Sequence, residues 1–223
     1  MSPAARMFVI VGASLAGAKA AETLRTEGFD GRIVLVGSEN ERPYERPPMS
    51  KDYLRGESER EALHVHAPTF YVDHDIPGAD LDGVLSLRSV EDCDRLRERL
   101  ERGGSVVVIG AGWIGAEVAA SARQRGLDVT VIARGSVPME RVLGLEVGAI
   151  YRDAHLEQGT RLLMETGIAA FEGATAVERV RTTDGRTVDC DFVVAGVGVT
   201  PRTGLAEQAG LAVGDGVLVD AHL

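Results

Sequence analysis

The chain has 223 residues, enough for one large α/β domain or two small ones. Its formal net charge of −10 argues against nonspecific nucleic-acid binding, because that binding depends on an excess of Lys and Arg. The sequence has no run of about 20 apolar residues, which predicts a soluble, cytoplasmic protein that does not enter a membrane.

The first predicted elements form one βαβ unit. A short apolar strand, Phe8 to Val11, precedes a glycine-containing turn, and a helical pattern follows through Ala18, Ala21 and Leu24. A second apolar strand is predicted over Ile33 to Val36. This order is typical of parallel sheets that are covered by helices.

The turn of this unit reads Gly-Ala-Ser-Leu-Ala-Gly over residues 12–17, which is the G-x-G-x-x-G pattern with Ser14 at the second glycine. A serine is tolerated beside phosphates when its hydroxyl donates a hydrogen bond. Glu39, near the end of the second strand, is available to a ribose. We therefore predict a dinucleotide site, and the alternative is a glycine-rich turn without a ligand. Its assigned cofactor-binding residues are Gly12, Ser14, Leu15, Ala16, Gly17 and Glu39.

The middle of the chain begins with a charged, proline-rich stretch, Glu41 to Pro48, and a short helix is predicted around Met49 to Leu54. A polar segment with His64 and His66 follows. Two alternating histidines without further ligands favour solvated side chains, so no metal site is predicted.

The βαβ order then returns. A helix is predicted over Ser89 to Arg102, because Ser89 suits the N-cap and two glycines follow the last turn. Beyond it come a strand over Val106 to Ile109, a helix from about Trp113 to Gln124 and a strand over Val129 to Ile132. The chain therefore repeats one supersecondary unit, and we predict two domains, residues 1–85 and 86–223.

The second turn reads Gly-Ala-Gly-Trp-Ile-Gly over residues 110–115 and fits G-x-G-x-x-G in full, directly between a strand and a helix. Gly110 permits the tight turn, Gly112 lets the backbone approach a pyrophosphate, and Gly115 lets the helix pack closely on the strand. The N-terminus of the helix offers N–H groups and a partial positive charge to phosphates. Trp113 and Ile114 complete the predicted cofactor-binding turn, whose alternative is again a turn that binds nothing.

The end of the following strand predicts which nucleotide binds. An acid normally stands there and accepts a hydrogen bond from the ribose 2′-hydroxyl. Here Ala133 and Arg134 occupy this place. Loss of the acid and a neighbouring guanidinium favour NADP over NAD, and the alternative is that Arg134 is a solvated loop arginine.

The remaining sequence predicts one helix, several short strands and a hairpin turn at Asp184-Gly185. The helix is predicted over Leu145 to Leu156. The strands are predicted over Arg161 to Met164, Ile168 to Phe171, Val177 to Thr182, Thr187 to Cys190, Phe192 to Ala195 and Val217 to Val219.

With these elements in place, two further segments carry a family resemblance: Arg-Pro-Tyr-Glu-Arg-Pro-Pro-Met-Ser-Lys over residues 42–51 and Gly-Val-Gly-Val-Thr-Pro over residues 196–201. The sequence resembles the FAD-dependent, NAD(P)H-using ferredoxin reductases of the putidaredoxin, rubredoxin and dioxygenase-component type. The resemblance implies an α/β fold with Rossmann-like units. In that family the first unit holds FAD, the second holds the nicotinamide nucleotide, and hydride passes from nicotinamide to flavin.

The resemblance also assigns site residues. It implies that Arg46 and Lys51 lie along FAD, with Lys51 near the isoalloxazine ring, and that Glu117 helps to seat the nicotinamide carboxamide. Lys51 and Glu117 are thus the predicted catalytic residues. The alternatives are a solvated helix lysine and a first-turn acid favoured by the helix dipole. The resemblance adds Gly196, Val197 and Gly198 to the cofactor-binding residues.

The electron acceptor is expected to be a separate molecule. Cys93 and Cys190 are too far apart in sequence to form the local dithiol that disulfide reductases need beside the flavin. The resemblance implies a small iron-sulfur or rubredoxin-type carrier. Two alternatives remain: a module that binds NAD(P)H without flavin turnover, and an interaction or regulatory fragment.

The sequence departs from the family in two places. Ile76 runs directly into Pro77, where the family continues through several strands, and the sequence stops at Leu223, before the second FAD segment and the C-terminal interface domain. We therefore expect a partial FAD domain over residues 1–85, a complete NAD(P)H domain over residues 86–223, and weak retention of FAD.

Overall fold

The computed structural model describes residues 7–39, 41–60, 87–173, 176–196, 198, 201 and 203–221. The predictions for His64, His66, Val197 and the junction after Ile76 lie outside these residues.

The first βαβ unit forms as predicted. Strand β1 (Met7–Val11) pairs in parallel with β2 (Arg32–Val36), and helix α1 (Leu15–Thr26) connects them. The helix places Ala21 against Ile33 and Leu35, which are buried in a small core. The sheet contains only these two strands among the described residues, and four of the five apolar side chains of β1 are exposed.

The predicted helix over Met49 to Leu54 is instead two short pieces. A 3₁₀ turn (Pro47–Ser50) precedes helix α2 (Asp52–Arg55). Lys51 separates them, because its backbone angles of φ −126° and ψ −113° lie outside the helical region.

The second βαβ unit confirms the predicted order. Helix α3 (Val90–Arg102) is followed by β3 (Ser105–Ile109), α4 (Trp113–Gln124) and β4 (Asp128–Ile132). Ser89 caps α3: its side chain accepts a hydrogen bond from the Asp92 amide, and the Asp92 side chain accepts one from the Ser89 amide. This reciprocal capping box fixes the start of the helix.

Two later elements differ in part from the predictions. Helix α5 (Glu140–Glu157) consists of two helical segments separated by a kink at Gly144, where φ is +76°. The second segment begins at the predicted Leu145, and the short segment before Gly144 was not predicted. The last strand is also misplaced, because Gly216–Val217 pairs with Val213–Gly214 while Leu218 and Val219 lie outside any strand. The other elements are β5 (Arg161–Leu163), β6 (Ile168–Glu172), β7 (Arg179–Thr182), β8 (Thr187–Asp189), β9 (Phe192–Ala195), α6 (Gly204–Gln208), β10 (Val213–Gly214) and β11 (Gly216–Val217).

A four-stranded parallel sheet in the order β5-β4-β3-β9 organises the second unit. Strand β3 is buried on both faces: Val106 and Val108 face the core that contains α3 and α4, and Val107 faces β7 and β8. Strands β6, β7 and β8 form a separate antiparallel sheet that covers this second face. Burial on both faces explains why the strand is continuously apolar.

The segment 41–60 packs on helices of the second unit. Tyr44, Met49, Tyr53 and Leu54 belong to the same buried core as α3 and α4. The Tyr44 hydroxyl accepts a hydrogen bond from the Val90 amide at 3.0 Å, which directly joins this segment to the start of α3. Burial and the hydrogen bond to Glu39 raise the pKa of Tyr44 well above its ordinary value, so the hydroxyl stays protonated.

The capping box predicts a measurable loss of stability. Ser89→Ala removes the side-chain acceptor of the Asp92 amide, and we expect the free energy of unfolding to fall by about 0.5–2 kcal/mol in urea denaturation. Ser38→Ala is the control, because Ser38 is exposed on a loop and caps no helix. Equal midpoints for the two variants would contradict the capping role.

Candidate dinucleotide site

The turn at residues 110–115 has the geometry that its glycines predict. Gly110 has φ +95°, a left-handed conformation that favours glycine, and its amide donates to the Ile132 carbonyl at 2.8 Å. A Cβ atom on Gly115 would lie 2.0 Å from the Gly110 carbonyl oxygen. Only glycine at position 115 therefore lets helix α4 approach the end of β3 this closely.

Gly112 faces open space. A Cβ atom at this position would meet nothing within 4 Å, although Gly112 is the N-cap of α4. No side chain caps the first turn of the helix, so its amides have no side-chain acceptor. Trp113, the first helical residue, is 48% exposed. A helix N-terminus that is open and without a side-chain cap, preceded by glycines, fits a pyrophosphate.

The end of β9 lies against the same turn. The Gly196 amide donates to the Ile109 carbonyl at 2.8 Å, and a Cβ atom on Gly196 would lie 3.3 Å from the Gly115 nitrogen. Gly198 is exposed with φ +109°. Of the predicted cofactor-binding residues 196–198, the structure describes the two glycines, and Gly196 directly adjoins the turn.

The end of β4 carries no acid. Ala133 is buried, its amide donates to the Leu163 carbonyl, and its own carbonyl accepts from the Thr166 amide. Arg134 is exposed and makes no hydrogen bond or ion pair with another described residue. The guanidinium is therefore available to an external anion.

The loop after Arg134 is tied to the glycine turn. The Met139 amide donates to the Ala111 carbonyl at 2.8 Å, and Met139 is buried in a left-handed conformation with φ +61°. Sequence reasoning missed this loop, and its only signal was the turn-forming composition of Gly135, Ser136 and Pro138.

The first turn repeats this geometry. Gly12 has φ +116°, and a Cβ atom on Gly17 would lie 1.9 Å from the Gly12 carbonyl oxygen. Ser14 is the N-cap of α1, but its hydroxyl makes no capping hydrogen bond. Leu15 and Ala16 are exposed beside it. The turn can therefore receive a second phosphate group, with the Ser14 hydroxyl as an additional donor.

Glu39 is held by two side chains. Its carboxylate accepts from Arg46 Nη2 at 2.6 Å and from the Tyr44 hydroxyl. The predicted ribose acceptor and the predicted FAD arginine are thus an ion pair that fixes both side chains. Each carboxylate oxygen retains a lone pair for a further donor.

The two predicted catalytic residues, Lys51 and Glu117, form an ion pair. Lys51 Nζ lies 3.1 Å from Glu117 Oε1, and the Ser50 hydroxyl donates to Glu117 Oε2 at 2.5 Å. The Ser50 carbonyl accepts from the buried Ser121 hydroxyl at 2.7 Å, so the segment is fastened to α4. Ser50 and Ser121 were missed as positioning residues, and the only signal was the position of Ser50 within the segment 42–51.

Other kinds of site find no support in the part of the chain that the structure describes. Cys93 and Cys190 are both buried as free thiols. The described residues contain no cluster of three or more His, Cys, Asp or Glu side chains suited to a metal ion. Among them, no helix is both long and apolar enough to span a membrane.

The chain contains two Rossmann-like βαβ units, each with a glycine turn at a helix N-terminus. The family model described as pyridine nucleotide-disulphide oxidoreductase matches residues 6–74 and 67–223. The chain belongs to the pyridine nucleotide-disulphide oxidoreductase family.

Ferredoxin reductases are among its similar proteins. Rhodocoxin reductase of Rhodococcus erythropolis is 35% identical over an alignment that covers 97% of this chain and 61% of the relative. The ferredoxin–NAD(+) reductase subunit of the benzene 1,2-dioxygenase system of Pseudomonas putida is 33% identical, with 97% and 63% covered. In the covalent putidaredoxin reductase–putidaredoxin complex, the matched chain has a TM-score of 0.90 at 30% identity, with 97% and 64% covered. The predicted resemblance to this type of reductase is confirmed.

The lengths of these relatives bear on the expected absence of several family strands after Ile76. The chain spans about three fifths of the curated relatives' length. The alignment with rhodocoxin reductase runs over 261 positions, so at least 38 of them (261 less 223) belong to the relative alone. The family match also breaks into two segments near residue 74, close to the predicted junction at Ile76.

Proposed function

We propose that this chain binds a nicotinamide dinucleotide at the turn 110–115 and contributes to a flavoprotein reductase. In that reductase, hydride passes from NAD(P)H to FAD, and electrons pass on to a small iron-sulfur or rubredoxin-type carrier. The observation that carries the proposal is the open space at Gly112 in front of a helix N-terminus without a side-chain cap. A backbone amide cradle of this kind has donors for a pyrophosphate and leaves room for it.

The first turn supports a second dinucleotide, FAD. Gly12, Gly17 and the Ser14 hydroxyl would hold its pyrophosphate, and the Glu39–Arg46 pair offers an acceptor to its ribose. When bound, FAD accepts two electrons as a hydride and can release them one at a time. The protein supplies binding and orientation for this chemistry, so no protein nucleophile is required.

The Lys51–Glu117 pair supplies an oriented charge beside the first turns of α4. Glu117 holds the Lys51 ammonium, and the Ser50 hydroxyl holds the opposite oxygen of the same carboxylate. The arrangement supports the placement of Lys51 beside the flavin ring and Glu117 beside the nicotinamide carboxamide that the family resemblance implies. The pair joins a residue that precedes α2 to a residue of α4, so it fixes Lys51 at the start of the helix that follows the second glycine turn.

The acceptor is a separate carrier in this proposal. Relatives are named for ferredoxins, and one structural neighbour is a complex with putidaredoxin. Cys93 and Cys190 lie in different buried clusters, so they offer no dithiol to receive electrons. Burial raises the pKa of Cys93 to about 12 and that of Cys190 to about 11, which keeps both thiols protonated and unreactive near neutral pH.

A second candidate function is a nucleotide-binding module without flavin turnover. It is favoured by the first sheet, which has two strands among the described residues and leaves Met7, Phe8, Val9 and Val11 exposed. Such a sheet gives FAD an incomplete support, whereas the second unit has a sheet that is covered on both faces.

Gly112→Val should abolish binding of NADH and NADPH and leave thermal stability almost unchanged, because the added side chain enters the proposed pyrophosphate space and contacts no protein atom at its Cβ. Gly115→Val is the contrasting variant. Its Cβ would overlap the Gly110 carbonyl oxygen, so the free energy of unfolding should fall by about 1–3 kcal/mol. Calorimetric titration and thermal melts measure both effects, and unchanged affinity in Gly112→Val would refute the assignment.

Purified chain should be colourless or carry FAD below one equivalent per chain. The reason is that the first sheet has two strands among the described residues and leaves the apolar side chains of β1 exposed. An absorbance spectrum at flavin wavelengths, compared with the protein concentration, measures the stoichiometry. A tight, stoichiometric flavin spectrum would contradict the expectation and exclude the module without flavin.

NADPH should bind at least as well as NADH. Ala133 offers no acid to repel a 2′-phosphate, and Arg134 can donate a charge-assisted hydrogen bond to it. Because Arg134 is exposed, solvent screening limits the expected advantage to about tenfold or less. Ala133→Glu combined with Arg134→Ala should reverse the preference.

Dissociation constants for both nucleotides, measured at one ionic strength, test this preference. Arg161→Glu is a control of equal charge change, because it makes the chain more negative by the same amount as the double substitution and Arg161 is exposed at the start of β5, away from the strand ends that meet the turn. A preference of the unaltered chain for NADH by tenfold or more would show that Arg134 does not contact the nucleotide.

A further inference from the structure

In the loop between β4 and α5, the backbone and side chain of Ser136 already bind a carboxylate of the protein itself, that of Glu140. The Glu140 carboxylate accepts a hydrogen bond from the Ser136 amide at 2.6 Å and another from the Ser136 hydroxyl at 3.1 Å. A Cβ atom on Gly135 would lie 2.9 Å from the same carboxylate oxygen. The carboxylate therefore lies directly on the backbone of residues 135 and 136.

This loop follows the strand end where the ribose of the proposed nucleotide would lie. It begins after Ala133, and the hydrogen bond from Met139 to the Ala111 carbonyl ties it to the glycine turn. Arg134 extends from the same loop without a partner among the described residues. The loop thus combines a free guanidinium with two hydrogen-bond donors, which are the groups that a phosphate needs.

We propose that Glu140 determines nucleotide specificity by competing with the 2′-phosphate for the donors of this loop. The inference rests on the proposed nucleotide site and refines it. The carboxylate takes up the Ser136 donors and repels a second anion, but it does not repel the neutral 2′-hydroxyl of NADH. Glu140 thus supplies the discriminating negative charge that Ala133 does not, and it opposes the attraction from Arg134.

A purely structural role for Glu140 predicts a different change in nucleotide affinity when Glu140 is replaced. Glu140 is the first residue of α5, yet its carboxylate reaches back to Ser136 rather than to amides within the helix. If it only held the loop in shape, its removal would weaken the binding of all adenine nucleotides together. If it competes, its removal strengthens binding only for ligands with a 2′-phosphate.

Glu140→Gln tests the proposal with AMP and adenosine 2′,5′-bisphosphate as probes, since neither requires flavin. The affinity for the bisphosphate should rise about two- to fivefold at ~0.1 M salt, the range expected for exposed charge pairs, and rise further at low salt. The affinity for AMP should stay constant. Glu146→Gln is the matched control, because Glu146 is an exposed acid of the same helix and makes no contact with Ser136.

Two more variants keep the test decisive. In the Glu140→Gln background, Ser136→Ala should reduce the gain for the bisphosphate, because it removes one of the donors that the phosphate would use. Glu140→Asp, whose shorter side chain retracts the charge from Ser136, should give a smaller gain and is the substitute if Glu140→Gln does not fold.

The outcomes separate this inference from the proposed function. If the unaltered chain binds AMP and NADH but Glu140→Gln gives no gain for the bisphosphate, or only the gain of Glu146→Gln, Glu140 does not select the nucleotide. If the unaltered chain binds none of these ligands, the nucleotide site itself is wrong and the inference fails with it.

Discussion

The close contact between Gly115 and the carbonyl oxygen of Gly110 determines how the second unit is built. Because position 115 has no Cβ, α4 begins directly above the end of β3. The ends of β4 and β9 meet the same turn, through the Ile132 carbonyl and the Gly196 amide. A bulkier residue at position 115 would push the helix away and separate the amides from the strand ends around which the proposed site is arranged.

The position of Lys51 depends on the packing of the segment that carries it, since Lys51 itself lies between two helical pieces. The segment 41–60 buries Tyr44, Met49, Tyr53 and Leu54 against α3 and α4, and hydrogen bonds from Val90 and Ser121 fix it at Tyr44 and Ser50. These contacts carry Lys51 to Glu117, a residue far away in sequence. The roles that the family resemblance assigns to Lys51 and Glu117 thus have a common physical basis. The Glu117 carboxylate pairs with Lys51 and also accepts a hydrogen bond from the buried Ser50.

The loop between β4 and α5 links the proposed nucleotide choice to local charge. Arg134 is free to attract an anion, whereas Glu140 already occupies the nearest donors of Ser136. In the proposed site, opposing charges at one strand end would let small substitutions shift the balance between NADH and NADPH.

Local signals were sufficient to predict many elements. Helix α4 was predicted over its full length because glycines and a following strand mark its ends, and α3 because Ser89 starts it. The helix around Lys51 was predicted as one piece because the pattern of residues 49–54 does not reveal the non-helical backbone of Lys51.

The hydrogen bonds of Ser50 and Glu140 had no sequence signal of their own. Both depend on loops that meet only after the sheet and helices have packed. The glycine turns were predictable because their backbone angles and close approaches are requirements of single residues. The pairings around them depend on several elements at once.

The most direct test of the proposed nicotinamide-nucleotide site is an amide NMR titration of the ¹⁵N-labelled chain with NADPH. Binding at the second turn should give saturable shifts that are largest for the amides of Gly112, Trp113 and Ile114, because these groups would contact the pyrophosphate at the start of α4. Shifts confined to the turn at residues 12–17, or no saturable shift at all, would contradict the assignment of the second turn as the nicotinamide-nucleotide site.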